Sequence, residues 1–325
     1  MSGVAGRVAV LDLEPVSADF LAEVVAGLSS SPRTLPCKFF YDERGADLFQ
    51  KICELPEYFI TRTETELLRR YAGEIAESIG PNAALIGFGT GAGIKTRMLL
   101  EHLENPIAYI PVDISKQRLV DSAAELSMAM PALEILPVCA DYLQELQFPK
   151  PLRKPDHVAV FFPGSTIGNL EPPVAKGFLQ RVCRLCGKSG GLIIGVDLQK
   201  SREVLEAAYN DSAGVTAEFN LNLLARINRE LDADFMLSNF VHEARFNQSE
   251  RSVEMHLRSV RRQTVRIEGA DATIDFVEGE TVWTESSHKY SLDDVWQIAE
   301  QVGFRCDAQW VDREWPFAEN LLVAR

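Results

Sequence analysis

Residues 82–113 read NAALIGFGTGAGIKTRMLLEHLENPIAYIPVD. A short apolar run ends in a cluster of glycines, a helical stretch follows, and a second apolar run closes on Asp113. NAALIGF is too short for an ordinary helix and is bounded by glycines, so it predicts a buried strand. IKTRMLLEHLE carries neither Gly nor Pro and predicts a helix, and AYIPVDIS predicts the next strand. The same alternation extends in both directions. Upstream, ETELLRRYAGEIAESI (64–79) sets Leu67, Leu68, Tyr71, Ile75 and Ile79 on one broad helical face. Downstream, SKQRLVDSAAELSMAM, LEILPVCADY, HVAVFFPGS, VAKGFLQRVCRLC and GGLIIGVDL predict helix, strand, strand, helix and strand in turn. Near-continuous apolar strands separated by helices indicate an α/β fold with a parallel sheet covered on both faces.

The rhythm changes near residue 200. SREVLEAAYNDSAGVTAEFNLNLLARINREL is mostly helical with a break at 210–214, and RSVEMHLRSVRRQTVRIEG alternates polar and apolar residues as strands do. LDDVWQIAEQVG, FRCDAQWVD and ENLLVAR then restore a helix and two strands. These shifts predict a sheet domain over 61–199 and 287–325, interrupted by an α+β unit over 200–286. The first 60 residues show no β–α alternation and are expected to pack with that unit.

The formal net charge of -14 argues against a nucleic-acid surface, which needs a basic face to release counterions. Arg258, Arg261, Arg262 and Arg266 alternate with apolar residues, as the solvated face of a strand does. No apolar run approaches the roughly 18 residues of a membrane span, and MSGVAGRVAVLDLEP lacks the continuous apolar core of a signal peptide. Cys183 and Cys186 form the one CxxC, on a predicted helix with no second pair or nearby His to complete a zinc set. The expectation is a reduced, cytoplasmic protein without a metal, acting on a small molecule and touching neither nucleic acid nor membrane. The oligomeric state stays open, with a monomer compatible.

The glycine loop GFGTGAGIKT (87–96) sits between a predicted strand and helix, where glycines admit positive φ and let a ligand approach the backbone. Asp113 ends the next strand, where an acid can take both hydroxyls of a ribose. Asp141 follows the third strand in VCADY. Gly87, Gly89 and Ala92 loosely satisfy the G-x-G-x-x-G/A pattern of a nicotinamide dinucleotide site. An S-adenosylmethionine site uses similar glycines without a pyrophosphate cradle and adds an acid after the third strand, so Asp141 favours the methyl donor. FFPGSTIGNL (161–170) ends a further strand in small residues, with Asn169 able to donate to a carboxylate or accept from an ammonium. Asn169 could equally cap the helix that follows.

Several longer segments resemble one family. KFFYDERGADLFQKICELPEYFITRTE (38–64), KTRMLL (95–100), FPGSTIGNL (162–170), EAAYND (206–211) and the TES-S segment at 284–287 are similar to the histidine-specific N-alpha-methyltransferases of ergothioneine biosynthesis. The resemblance spans nearly the whole chain. It implies a Rossmann-like class I methyltransferase sheet with an inserted α+β substrate-binding domain, using S-adenosylmethionine to methylate the α-amino group of histidine three times. It further implies that Gly87, Gly89, Lys95, Asp113 and Asp141 hold the donor. Tyr58 and Asn169 would meet the backbone end of the amino acid and Tyr209 its carboxylate. Glu285 and Ser287 would hydrogen-bond the imidazole, Met255 would line the side-chain pocket, and Tyr41 would lie with Asn169 near the reacting amine. Leu85 and Phe59 depart from the family pattern, which expects an acid and a second tyrosine at these places. Other readings are methylation of another small amino acid or amine, a nicotinamide-dependent oxidoreductase, and a non-catalytic sensor of the same fold.

Overall fold

The computed structural model describes residues 9–13, 20–89, 91 and 93–325. Thr90 and Ala92 of the glycine loop, and with Ala92 one position of the loose dinucleotide pattern, lie outside the described residues.

The central sheet runs in the order Leu11–Asp12, Val138–Cys139, Ala108–Asp113, Ala83–Phe88, His157–Phe162, Gly191–Asp197, Phe317–Ala324, Phe304–Asp312. The first six strands pair in parallel, and the last two form an antiparallel hairpin against Gly191–Asp197. Alternate residues of a buried strand serve opposite faces. Leu85 therefore packs with Leu68, Ile75 and Leu99 from helices Phe59–Ile79 and Ile94–Leu100. Ile86 packs on the other side with Phe178 and Val182 of helix Pro172–Cys186. Leu85 is fully buried in that apolar layer.

A second sheet, ordered Arg33–Thr34, Thr281–His288, Ser252–Ser259, Phe240–Asn247, covers one edge of the first. Its core includes Phe20, Val24 and Leu28 of helix Phe20–Ser29 and Phe219, Leu223 and Ile227 of helix Val215–Leu231. Helix Phe20–Ser29 thus packs in one core with helix Val215–Leu231.

The structure departs from the sequence reading at three places. Leu11–Asp12 extends the central sheet beside Val138–Cys139, so the first 60 residues do not all side with the insert. The pairing is made by backbone groups over two residues, which leaves no side-chain periodicity to read. LEILPVCADY forms two short strands, Glu134–Ile135 and Val138–Cys139, because Pro137 has no N–H for the ladder. The boundaries expected at 60/61 and 286/287 fall inside helix Phe59–Ile79 and strand Thr281–His288, so single rigid elements pass from one sheet's surroundings to the other's.

Candidate active site

Gly89, Asp113, Asp141 and Gly164 all lie just at or beyond the carboxyl ends of parallel strands, the edge where open α/β sheets bind ligands. The second sheet faces that edge, and a cavity of about 370 Å³ lies between them. It is lined by Gly89, Lys95, Asp113 and Asp141 at one end and by Tyr41, Tyr58, Asn169, Tyr209, Met255, Glu285 and Ser287 at the other. Gly87 is the exception among the expected site residues. It stays within the strand, opposite Pro111 and Phe161, and is not on the cavity wall.

Local sequence explains how each side chain arrives. In YDERG, Asp42 caps helix Glu43–Glu54 through Gly45 N at 2.7 Å, and also accepts from Asn222 at 2.8 Å and Arg229 at 2.7 Å. A Cβ on Gly45 would meet the Phe40 carbonyl at 1.7 Å, so only glycine fits and Tyr41 is fixed in its turn. In YND, Asp211 accepts from Val215 N at 2.9 Å and Thr216 N at 2.7 Å, starting helix Val215–Leu231 and holding Tyr209 before it. In the TES-S segment, Met255 pairs with Glu285 but His256 pairs with Trp283, so Thr284 is an extra residue in a β-bulge. Thr284 Oγ1 donates to the Met255 carbonyl at 3.0 Å. A bulge re-aims the strand that carries it, and Glu285 and Ser287 both reach the cavity.

GSTIGN is a turn made by close approach. Gly164 (φ +82°) and Ser165 (φ +55°) are left-handed, and Thr166–Asn169 forms a short 3₁₀ turn. A Cβ on Gly168 would lie 2.8 Å from the His288 carbonyl. Asn169 does not cap the next helix. Its Nδ2 donates to Glu285 Oε2 at 3.4 Å, a long bond open to exchange for a ligand.

At the donor end, Gly89 (φ +58°), Gly91 (φ +53°) and Gly93 (φ +72°) hold a backbone that other residues rarely adopt. Asp113 Oδ1 accepts from Ser115 N at 2.8 Å, and burial pushes its carboxyl up, partly offset by the Ser115 and Gly91 amides. Asp141 Oδ1 accepts from Leu143 N at 2.9 Å, and Lys38 Nζ stands 3.6 Å from its other oxygen. Glycines that admit close approach, a strand-end carboxylate and a second acid on the next strand fit a nucleoside-bearing methyl donor. Lys95 reaches the wall but is ion-paired to fully buried Glu64, whose other oxygen accepts from Gly164 N at 2.6 Å. Glu64 thus ties the glycine-loop helix to the GSTIGN turn. Burial and the Glu64 carboxylate push neighbouring Glu319 well above the usual range, so Glu319 stands protonated beside it.

At the acceptor end, the Phe49 ring centroid lies 5.6 to 6.2 Å from those of Tyr41, Phe219 and Tyr58, and Tyr58 lies 6.1 Å from Tyr209, so the five rings form an aromatic wall. Burial raises all three tyrosine hydroxyls above their ordinary pKa, reinforced at Tyr41 by Glu285 and at Tyr58 by Tyr209, and partly offset at Tyr209 by Lys289. They remain protonated at neutral pH and act as hydrogen-bonding hydroxyls. Burial also raises Glu285 to about 8, with Lys289 pulling it down. Tyr209 Oη donates to Ser287 Oγ at 2.7 Å, so these two residues form one hydroxyl pair.

Some wall residues carried no sequence signal. Thr216 is buried on the cavity wall beside the Asp211 carboxylate, and Cys37 has a thiol pushed to about 12 by burial. Glu64 lies inside the quoted TRTE segment, and its buried helical position among apolar neighbours was the available clue.

A parallel sheet in this strand order, ending in an antiparallel hairpin and carrying glycines and two acids at its carboxyl edge, defines a class I S-adenosylmethionine-dependent methyltransferase. The chain belongs to the S-adenosylmethionine-dependent, histidine-specific methyltransferase family, whose sequence model matches residues 20–324. It is 39% identical over 307 residues to a histidine N-alpha-methyltransferase of Mycolicibacterium smegmatis, covering 93% of this chain and 94% of that protein. Identity to the histidine N-alpha-methyltransferase of Mycobacterium tuberculosis is 38% over 303 residues, covering 92% and 93%. Ergothioneine biosynthesis protein 1 of Neurospora crassa is 33% identical over 202 residues, which span 61% of this chain and 23% of that protein. Among the described residues no helix is long and apolar enough to cross a membrane.

Proposed function

We propose that this protein methylates the α-amino nitrogen of free L-histidine, repeating the transfer until a trimethylated betaine is formed. The observation that supports this reading is one cavity lined at once by Asp113 and Asp141 and by Asn169, Tyr209, Glu285 and Ser287. In this reading Gly89, Asp113 and Asp141 hold S-adenosylmethionine, and Lys95 stiffens the loop through Glu64. When bound, the donor supplies an electrophilic methyl carbon on a sulfonium. The chain's own task is alignment and exclusion of water, which can carry much of the barrier lowering for such a displacement.

The α-amino group of a free amino acid is mostly ammonium at neutral pH, so it sheds a proton before each transfer. Tyr41, Tyr58 and Asn169 orient the nitrogen without supplying a strong base, and the proton leaves to solvent. The aromatic wall keeps a methylated ammonium in place by cation–π attraction, of order 0.5–2 kcal/mol. Glu285 takes an imidazole N–H, Ser287 serves the ring from the same strand face, and Met255 fills the apolar side. A buried carboxyl left unpaired by an aliphatic side chain selects against that side chain. We assign residues 200–286, with most of 1–60, as the substrate-binding part and the central sheet as the donor-binding part.

The test is mass spectrometry of a reaction holding the protein, S-adenosylmethionine and all the common amino acids. Histidine gaining up to three methyl groups is the expected result. Methylation of a different amino acid would overturn the pocket assignment, and donor binding without methylation of any amino acid would overturn the catalytic one.

A further inference from the structure

We propose that Trp283 and Thr284, which the preceding mechanism does not use, are positioning residues for side-chain selection. They set the extra residue of the β-bulge at Thr284, so that Glu285 and not Thr284 stands beside Met255 in the pocket. This inference rests on the function proposed above, which gives Glu285 its ligand.

The register is fixed on both sides of the bulge. On one side Leu257 is opposite Val282 and His256 opposite Trp283, and the Trp283 carbonyl accepts from Leu35 N at 2.9 Å. On the other side Glu254 is opposite Ser286 and Val253 opposite Ser287, whose Oγ accepts from Tyr209 Oη at 2.7 Å and Lys289 Nζ at 2.9 Å. Between these ends Met255 alone faces both Thr284 and Glu285, so one of the two has to be the extra residue. If it were Glu285, Thr284 would pair with Met255 and bring a methyl and a hydroxyl to the pocket. The structure pairs Met255 with Glu285, and both line the cavity, whereas Trp283 and Thr284 are off its wall. Without substrate the Glu285 carboxyl has one long bond, from Asn169 Nδ2 at 3.4 Å. Burying a carboxyl so poorly paired is costly, and moving the bulge on by one residue would relieve that cost. Other groups therefore have to hold the bulge where it is.

Two side-chain bonds span the extra residue. Thr284 Oγ1 crosses to the facing strand and donates to the Met255 carbonyl at 3.0 Å. Trp283 Nε1 reaches over Thr284 and donates to the Glu285 carbonyl at 2.9 Å. The indole is itself seated, because its ring lies against that of His256, with centroids 6.0 Å apart and planes 21° from parallel. His256 is buried with Nε2 at 3.1 Å from Glu254 Oε2, and Glu254 also accepts from Asn247 Nδ2 at 2.7 Å and Arg245 Nε at 3.3 Å. A polar cluster outside the cavity thus fixes the ring that fixes the backbone of Glu285.

The experiment is a double-mutant cycle on the kinetics with histidine. Trp283→Phe keeps a ring against His256 and removes the N–H, and Thr284→Val keeps the shape and removes the O–H. Each should raise KM for histidine by about 3- to 10-fold, the range of one hydrogen bond. Together they should approach the effect of Glu285→Ala, while kcat and S-adenosylhomocysteine affinity stay within about threefold. The ratio of histidine to leucine methylated in competition should fall in parallel. In a Glu285→Ala background the same two substitutions should change KM by less than about twofold, because residues that act through Glu285 have nothing left to position. An unchanged KM in both variants, or effects that multiply with that of Glu285→Ala, would overturn the proposal. If Trp283→Phe does not fold, the cycle of Thr284→Val with Glu285→Ala decides alone, with the indole intact. A wild type that binds S-adenosylhomocysteine but neither binds nor methylates histidine overturns the proposed function itself. A wild type active on histidine whose cycle shows independent effects overturns only the positioning role.

Discussion

Asn169 Nδ2 donates to Glu285 Oε2 at 3.4 Å, joining the turn after a central strand to the bulged strand of the second sheet. The contact crosses the gap between the two halves of the cavity, and its length makes it an exchangeable bond. In the reading above, the amide moves to the amino acid's backbone end while Glu285 turns to the imidazole. Asn169→Ala should lower kcat/KM for histidine by about 10- to 100-fold, the range of one well-placed polar contact. S-adenosylhomocysteine affinity, measured by calorimetry, should not change, because the glycine loop and Asp113 are untouched. Loss of donor affinity in parallel with kcat/KM would show that Asn169 only holds the fold.

Glu285 links the site to stability. Burial raises its pKa from 4.5 to about 8. Between those values the unfolded chain releases a proton that the folded chain keeps, so stability falls as pH rises through that window. Below it, both states are protonated and the penalty vanishes. Glu285→Gln removes the titrating group at nearly constant shape. Its Tm advantage over wild type, both measured without ligand, should be small at pH 5 and grow through pH 7 to pH 9. Parallel Tm curves across that range would contradict a buried, neutral-leaning carboxyl.

The same carboxyl governs choice of side chain. Glu285→Ala should raise KM for histidine by about 10- to 100-fold and relax the preference against apolar amino acids, since no unpaired buried carboxyl then opposes them. Competition between histidine and leucine in one reaction, resolved by mass, reads the change directly. An unchanged product ratio would remove Glu285 from the specificity of the site.

Much of this fold is legible because parallel strands buried on both faces appear as unbroken apolar runs, and Gly or Pro marks their ends. Residues 82–113 carry that pattern without ambiguity, and Asp113 and Asp141 follow from it by position. The YDERG, YND and GSTIGN segments could be recognised as motifs, yet their physical content needed the structure. Gly45 is required by the Phe40 carbonyl and Gly168 by the His288 carbonyl, both contacts with chain that no local pattern reveals. The Thr284 bulge was not readable either, since it depends on register with Ser252–Ser259. Lys289, Asp197 and Lys200 are ordinary charged residues in sequence. Only the junction of strand Gly191–Asp197 with strand Thr281–His288, sealed by Tyr290 N to Asp197 O at 3.0 Å, makes them one buried cluster. Gly87 is a motif glycine that lies within its strand, paired with Pro111 and Phe161, and off the cavity wall.

Asp113 tests the donor end. Ser115 N and Gly91 N hold its carboxylate at the strand's end, with the cavity before it. Asp113→Asn keeps the shape but replaces one acceptor oxygen by a donor. S-adenosylhomocysteine binding should weaken by about 10- to 100-fold. Tm without ligand should change little or rise, because burial already disfavours the charged form. Unchanged affinity would mean that the ribose hydroxyls are held elsewhere.

Gly168 tests whether the geometry of the turn, and not only its side chains, is needed. An alanine Cβ there would stand 2.8 Å from His288 O and 3.3 Å from His288 N, both backbone atoms in a paired strand. Neither can move away cheaply, so the 3₁₀ turn Thr166–Asn169 must shift and carry Asn169 off Glu285. Overpacking of this kind costs about 1–3 kcal/mol. Misplacement of an orienting group by about 1 Å can cost about 100-fold in rate. Gly168→Ala should therefore lower Tm modestly and kcat steeply, while the donor end keeps its affinity for S-adenosylhomocysteine. If kcat survives while Tm falls, the close approach of turn and strand serves folding alone, and Asn169 reaches its position by another route.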